Sequence, residues 1–341
     1  MNPRDIKLSN FYRMVTQSDR IKFLLSYAVL APSTHNSQPW LFKIENNVCK
    51  VYYDPKYLIP VGDPLTRDLH ISIGCAVENL NIAAKYFGMA PIVNLGPFEE
   101  KNLLAKIIFS EPANKLDNYG NLLNTIPKRI NARGVFQKTE INLSTLDEVK
   151  SEMQKSGYTD NLTLHLIVDR DKINSLARLT ARGLRMAYQK PIFRREMSRW
   201  MNNSLSPKKE GLHGYALKMP LFLSFIIPTL VRLKDIGPFL ADKNYQSISS
   251  APLLVVISAK KNDPHTWLET GLLAERLMLE FQSQDLQTSI FVASIEMADL
   301  YKEVQKILNT TEIPQFLFAV GKIDSLHKFT PRHRLEKKII N

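Results

Sequence analysis

The chain has 341 residues, a net charge of +12, 44% hydrophobic and 23% charged residues. This is a globular composition that excludes a disordered chain, and the length suffices for two ordinary domains or one large one. Two cysteines, Cys49 and Cys75, exclude a disulfide framework, and no metal site is expected. The most apolar stretch, 220–231, is too short for a membrane span, which needs about 20 residues.

The N-terminal residues 1–17 carry no apolar secretory signal, so a cytoplasmic location is expected. Basic residues gather at 194–199, 208–209 and 332–338. A nucleic-acid groove would interleave basic and aromatic side chains on one element, and no such element is present in the sequence. The excess charge therefore favours anionic, phosphate-bearing small molecules over nucleic acid.

Apolar periodicity predicts the elements of the first half in order. Ser18 is expected to cap a helix over 19–30, and a hairpin follows over 41–53. A long helix over 65–87 ends before Gly88 and precedes strands at 90–95 and 103–109. The polar stretch 110–120 is predicted to link the two halves.

The second half begins with a helix from Ser144, where Ser144 and Asp147 have the spacing of a capping box. The other predicted elements are a strand at 162–168, a helix at 171–189, a strand at 252–259, a helix at 266–282, a strand at 288–293, a helix at 296–308 and a strand at 315–320. Residues 190–250 hold several Gly and Pro residues and are predicted to be irregular. Such a segment is too long for an ordinary connection and suggests a lid or an arm.

The two long helices show a weak internal repeat. Asp63-Pro64 and Asp263-Pro264 precede them, and aligning Gly74 with Gly271 also pairs Glu78 with Glu275. A repeat of this length predicts two tandem copies of one α/β unit. Chance similarity between two amphipathic helices is the alternative.

A polar loop follows the first helix, between Ala31 and the strand that starts at Trp40. Six consecutive hydrogen-bonding residues, Ser33 to Gln38, must be satisfied by backbone, water or a ligand; a self-bonded turn is the alternative. The pattern A-P-S-x-x-N-x-Q-P-W resembles a signature of the flavin-dependent nitroreductase superfamily. The resemblance implies that Pro32, Ser33, Thr34 and Asn36 edge the flavin ring and its ribityl chain.

Two basic motifs resemble the phosphate-binding segments of the same family. Residues 128–136 resemble its R-x-S-x-[RK] motif, with Asn131 in place of Ser, and 330–335 resemble its P-[KR]-x-R-L ending. Arg129 and Arg133 lie four residues apart, so a helical turn would direct both guanidinium groups to one dianion. The resemblance implies that five residues bind the flavin phosphate: Arg129, Asn131, Arg133, Arg332 and Arg334. Solvated basic surface and a disordered tail are the alternatives.

The resemblance implies an α+β, nitroreductase-like fold in which two tandem copies form an intramolecular pseudo-dimer around central long helices, with antiparallel or mixed sheets. Residues 1–115 are the first half and donate the polar loop. Residues 121–341 are the second half, with the phosphate site and the 190–250 insert. This single-chain layout resembles the Acg-type branch, and a monomeric pseudo-dimer or a homodimer is expected.

The implied cofactor is FMN, with NAD(P)H as reductant and a nitroaromatic or quinone-type small molecule as electron acceptor. No catalytic side chain is assigned. The second half has lost the polar-loop pattern at 155–160, and the first half lacks an R-x-S-x-R motif, so one flavin per chain is expected. Asp285 stands where the family usually has Gly. A flavin-sequestering protein sealed by the insert, and an interaction protein without cofactor, are the alternative functions.

Overall fold

The computed structural model describes residues 2–110, 116–156, 161–325 and 328–340. The predicted linker at 111–115 and the divergent loop at 157–160 lie outside these ranges. The described helices are α1 (Gln17–Ala28), α2 (Arg67–Tyr86), α3 (Gly120–Thr125), α4 (Leu143–Ser156), α5 (Arg170–Gln189), α6 (Pro191–Trp200), α7 (Leu221–Leu233), α8 (Gly237–Ser250), α9 (Pro264–Ser283), α10 (Ala293–Glu296) and α11 (Leu300–Leu308). None of them combines the length and apolar character needed to cross a bilayer.

The described strands form two four-stranded antiparallel sheets and one short parallel pair. Their bounds are β1 (Trp40–Glu45), β2 (Val48–Tyr53), β3 (Pro91–Leu95), β4 (Leu103–Phe109), β5 (Leu162–Ile167), β6 (Met201–Asn202), β7 (Leu212–His213), β8 (Leu253–Ala259), β9 (Gln287–Ile290) and β10 (Ile313–Gly321). The α+β class predicted from the sequence is confirmed.

The chain divides into two compact units that interleave in sequence. The first unit is Met1–Arg129, Asp263–Ser283 and Pro331–Asn341, and the second is Ile130–Asn262 and Gln284–Thr330. Helix α9 and the C-terminal segment therefore cluster with residues far away in the sequence. The contiguous halves 1–115 and 121–341 remain a prediction.

The first unit is built on the sheet β1-β2-β4-β3 and on the helices α2 and α9. Helix α2 is buried on nearly all sides from Arg67 to Ala84, which is expected of a central helix. An added Cβ on Gly74 would lie 2.8 Å from the Cα of Gly271, so the two glycines permit a close helix crossing. The expectation that the two long helices pack against each other is met.

The second unit is built on the sheet β5-β8-β10-β9. Every residue of β8 is buried, as expected of a central strand that is apolar except at Ser258. When the four strands of each sheet are numbered along the chain, both sheets have the strand order 1-2-4-3. The shared topology supports tandem copies, and the pseudo-dimer stays a prediction.

Three local expectations were wrong. Thr16, not Ser18, caps α1, since its hydroxyl accepts from Asp19 N at 3.1 Å. Helix α4 begins before Ser144, and the side-chain oxygen of Asn142 accepts from Ser144 N at 3.2 Å. The insert 190–250 is mainly helical rather than irregular, because α6, α7 and α8 occupy most of it.

Candidate functional site

The polar loop has an unusual backbone. His35, Asn36 and Gln38 have φ of 52°, 57° and 53°, which is the left-handed region that residues other than Gly rarely adopt. Such conformations cost about 1–3 kcal/mol each when the residue is not glycine, and they cluster at binding sites. A loop that maintains three of them must be held by its surroundings.

Hydrogen bonds within the loop account for part of this support. Ser33 Oγ accepts from Gln38 N at 2.9 Å, and Ser33 O accepts from Asn36 N at 2.9 Å. Thr34 N donates to Ser72 Oγ on α2 at 3.3 Å, and Thr34 Oγ1 donates to Asp68 at 3.4 Å. Pro32, Ser33, Thr34 and His35 keep part of their surface exposed. The loop thus presents a partly open polar edge on a fixed backbone.

The C-terminal segment supplies the rest of the support, and its contacts lie within the first unit. Arg332 Nη1 donates to Asn36 Oδ1 at 2.5 Å, and Arg332 Nη2 donates to Ala31 O at 3.2 Å. Asn36 Nδ2 donates to Pro331 O at 3.2 Å. Two of the three sequence motifs that carry the family resemblance, the polar loop and the C-terminal motif, therefore meet through Asn36 and Arg332.

Gln38 and Lys338 fasten the same segment more deeply. Gln38 is fully buried, its Oε1 accepts from His333 N at 2.8 Å, and its backbone O accepts from Lys338 Nζ at 2.6 Å. The Lys338 ammonium lies 4.4 Å from the centroid of the Tyr57 ring. Sequence reasoning missed Lys338 and Tyr57, because a basic terminal residue has no signal that distinguishes a buried lysine from a solvated one. Arg334 is exposed.

Arg129 is paired inside the first unit. Its side chain is buried, and its Nε lies 3.3 Å from Glu275 Oε1 on α9 in an ion pair without hydrogen-bond geometry. Burial raises the pKa of Glu275 to about 7, while the positive charge of Arg129 acts in the opposite direction. The residue that the repeat pairs with Glu275, Glu78, accepts from Arg276 Nε at 2.7 Å. Both aligned glutamates thus hold a buried guanidinium.

The second unit holds the other end of the 128–136 motif. Asn131 forms a bridge with Thr288 of β9, and Asn131 Oδ1 accepts from Ile290 N at 2.9 Å. The expectation of a helical turn between Arg129 and Arg133 was wrong, because the chain is extended at Arg129 and Asn131 pairs with a strand edge. Arg129 and Arg133 therefore do not share the face of one helical turn.

Arg133 and Thr288 offer unused donors in the second unit. Arg133 is half-buried, and no carboxylate among the described residues pairs with it. Loss of water lowers the pKa of Arg133, and the nearby Tyr188 hydroxyl raises it. Thr288 is fully buried, and its Oγ1 has no hydrogen-bond partner among the described residues. Ala132 N donates to Thr288 O at 2.8 Å, so the segment with Arg133 runs beside the strand that holds this hydroxyl. A desolvated cation without an anion, next to a strand with an orphaned hydroxyl, fits a phosphate-bearing cofactor.

Asp285 adopts φ of 60° directly before β9. This explains why the resemblance leads one to expect Gly there: the backbone needs the left-handed region, and Asp is one of the few side chains that tolerates it. Asp285 therefore suits the left-handed backbone found here, as Gly would.

No family model matches the sequence. The chain is 22% identical over 335 residues to "Putative NAD(P)H nitroreductase acg" of Mycobacterium tuberculosis (strain CDC 1551 / Oshkosh), covering 95% of this chain and 96% of that protein. It is 30% identical over 80 residues, 24% of this chain and 23% of that protein, to "Putative NAD(P)H nitroreductase Rv3131" of strain ATCC 25618 / H37Rv.

Among solved structures, the nitroreductase NfnB from Mycobacterium smegmatis, in complex with NADPH, aligns with a TM-score of 0.43 and 17% identity. That alignment covers 65% of this chain and 97% of NfnB. The full-length sequence similarity agrees with the motifs at the polar loop and the C-terminal segment. Over 95% of its length, and at 22% identity, the chain is therefore similar to a protein named as an acg-type NAD(P)H nitroreductase.

Proposed function

We propose that this protein is an FMN-dependent oxidoreductase that uses NADH or NADPH to reduce small nitroaromatic or quinone-type acceptors. The observation that carries the proposal is the junction of Asn36 with Arg332. It joins two family motifs almost 300 residues apart in sequence and supports a loop with three left-handed residues. The full-length similarity to a protein named for NAD(P)H nitroreduction supports the same proposal.

In this proposal the partly exposed residues Pro32, Ser33 and Thr34 position the flavin ring and its ribityl chain, and the buried Asn36 lies behind them against Arg332. Arg133 is the main phosphate ligand, because it is desolvated and has no carboxylate partner among the described residues. Asn131 and Arg334 complete the phosphate site. Arg129 and Arg332 add positive charge while they keep their protein partners, Glu275 and Asn36.

The bound cofactor would supply hydride transfer, and the protein would supply position, electrostatics and exclusion of water. Cationic side chains near a flavin favour its anionic reduced form. No proton donor is assigned. Unpaired Cys49 and Cys75 fit the reducing conditions of the cytoplasm, and we propose that location.

The test is anaerobic mixing of the purified protein with NADPH or NADH, followed by a nitroaromatic acceptor. We expect the visible flavin absorbance to bleach and then to return when the acceptor is added. Flavin that binds but never bleaches would contradict the oxidoreductase proposal and favour flavin storage. Protein that takes up no FMN would contradict both.

A further inference from the structure

The outward face of α7 is apolar, which is the reverse of an ordinary surface helix. Helical spacing places five large apolar side chains on one side, and each is between 52% and 70% exposed. They are Leu221, Phe222, Phe225, Ile226 and Leu233. Ser224 and Val231 are buried on the opposite side. A contiguous exposed apolar face of this kind marks a docking surface.

The same region is strongly basic. Arg232 lies on the apolar side of α7, and Lys234 follows the helix directly; both are exposed. Phe239 of α8 is 62% exposed, and the Lys243 ammonium lies 5.8 Å from the centroid of its ring. Residues 190–243 contain ten Lys or Arg against four Asp or Glu, so half of the chain's net charge of +12 lies in this segment.

The acidic residues closest in sequence to α7 are engaged. Asp242 forms an ion pair with Arg185 at 2.6 Å, and Asp235 Oδ1 accepts from Gly237 N at 2.8 Å. The apolar face is therefore bordered by positive charge that these carboxylates offset only in part. Exposed Phe and Leu beside Lys and Arg are the composition of helices that lie in the headgroup region of anionic membranes.

We propose that α7 docks this protein reversibly on an anionic lipid surface. The apolar side chains of α7 enter the headgroup boundary while Arg232, Lys234 and Lys243 contact lipid phosphates. Pairing with a second copy through this face would bring identical basic residues together across a two-fold axis, which is unfavourable. Since α7 has 13 residues and an internal Pro228, it lies on the membrane rather than spanning it. This inference is independent of the proposed reaction.

The experiment is flotation of the full chain with vesicles of phosphatidylcholine alone or with 30% phosphatidylglycerol. We expect binding to the anionic vesicles only, and partial release at high salt because the charge contribution is screened. The double variant Phe222→Ser/Phe225→Ser should bind at least about tenfold more weakly, since two apolar side chains no longer enter the lipid. Arg232→Gln/Lys234→Gln should also weaken binding and reduce the salt dependence.

The matched control is Val15→Ser/Leu65→Ser, which removes two exposed apolar side chains of the first unit. This control should bind vesicles like the wild type, and thermal melts should show that all variants are folded. The proposal would be overturned if the wild type did not bind vesicles. It would also be overturned if the control and Phe222→Ser/Phe225→Ser lost vesicle binding equally. Light scattering that shows a dimer abolished by Phe222→Ser/Phe225→Ser would overturn it in favour of self-association.

Discussion

Among single residues, Arg133 is the sharpest test of the phosphate site. Its guanidinium is desolvated, and no described carboxylate neutralises it. We expect Arg133→Ala to raise the Kd for FMN about tenfold to a hundredfold, because a charge-assisted bond contributes about 1.5–3 kcal/mol. Flavin fluorescence quenching measures this Kd.

Two further variants separate the position of Arg133 from its charge. Arg133→Lys keeps the cation but not the fork of donors, so we expect an intermediate affinity. Arg195→Ala removes an exposed cation elsewhere in the second unit and should leave the Kd unchanged. If Arg133→Ala binds FMN as tightly as Arg195→Ala does, Arg133 does not hold the phosphate.

Asp285 tests the backbone requirement before β9. At φ of 60°, Asp285→Gly should change the free energy of unfolding by less than about 0.5 kcal/mol, whereas Asp285→Val should cost about 1–3 kcal/mol. Asp147→Val in the helical backbone of α4 is the control and should cost less than Asp285→Val. Denaturant titration gives the free energy of unfolding of the three variants. If both valine variants lost the same stability, the backbone at Asp285 would not be strained by a valine.

Residue roles were only partly predictable from the sequence. The motif residues Asn36 and Arg332 could be selected by resemblance, and the structure brings them together. The partner of Arg129 could not be deduced. The repeat pairs Glu275 with Glu78, yet a sequence alignment does not reveal which buried carboxylate faces which guanidinium.

At the scale of the elements, the crossing of α2 and α9 depends on two glycines. A Cβ on Gly271 would lie 2.2 Å from Ile71 O, which is backbone and cannot move aside cheaply. We expect Gly271→Ala to destabilise the protein by about 1–3 kcal/mol through overpacking. Gly120→Ala, whose Cβ would meet nothing closer than 3.5 Å, is the matched control and should be neutral. Equal melting temperatures for the two variants would show that the helices do not cross there.

The stability of the fold around α2 and α9 also depends on pH. Burial raises the pKa of Glu275 to about 7 from an ordinary value of 4.5, so the folded state binds this proton more tightly than the unfolded chain does. The stability that Glu275 contributes is complete below about pH 4.5 and is lost as the pH rises to about 7. Asp63, with a pKa raised to about 6, acts in the same direction.

Denaturant titration from pH 4.5 to pH 8 measures this effect. We expect Glu275→Gln to remove part of the decline in stability between pH 4.5 and 7, because glutamine does not titrate. Above about pH 7, where Glu275 is ionised, the variant also lacks the charge that pairs with Arg129. Glu78→Gln removes a negative charge that raises the pKa of Glu275, so it should move the decline to lower pH. An unchanged profile in Glu275→Gln would contradict the raised pKa.

The elements that sequence patterns located best are those with an apolar face directed to a core. The strand over 103–109 and the two long helices are of this kind, and their predicted bounds agree with the structure to within two residues. Helix α7 of the insert was missed because it contains Pro228 and is apolar on most of its sides. A run with few polar residues shows little helical period, whichever way its side chains point.

For the whole molecule, the sequence suggested two copies of one unit but not the interleaved compact units. Strand order repeats between the two sheets, whereas α9 clusters with the first unit although its neighbouring strands belong to the second. The contacts of α9 with α2 join residues almost 200 positions apart. Pairings at such a separation depend on shape complementarity such as that of Gly74 and Gly271, which hydrophobic periodicity does not encode.

The unequal halves of the chain predict one FMN per molecule. The polar-loop pattern occurs only at 31–40 and the R-x-N-x-R motif only at 129–133, so two copies of the fold would supply a single complete set of ligands. We expect saturating FMN, followed by removal of the free flavin, to give one flavin per chain by absorbance and protein concentration. Asn36→Ala/Arg133→Ala should abolish that binding entirely rather than halve it. Two flavins per chain, or half of the flavin retained by the double variant, would show that a second site exists and that the halves are equivalent.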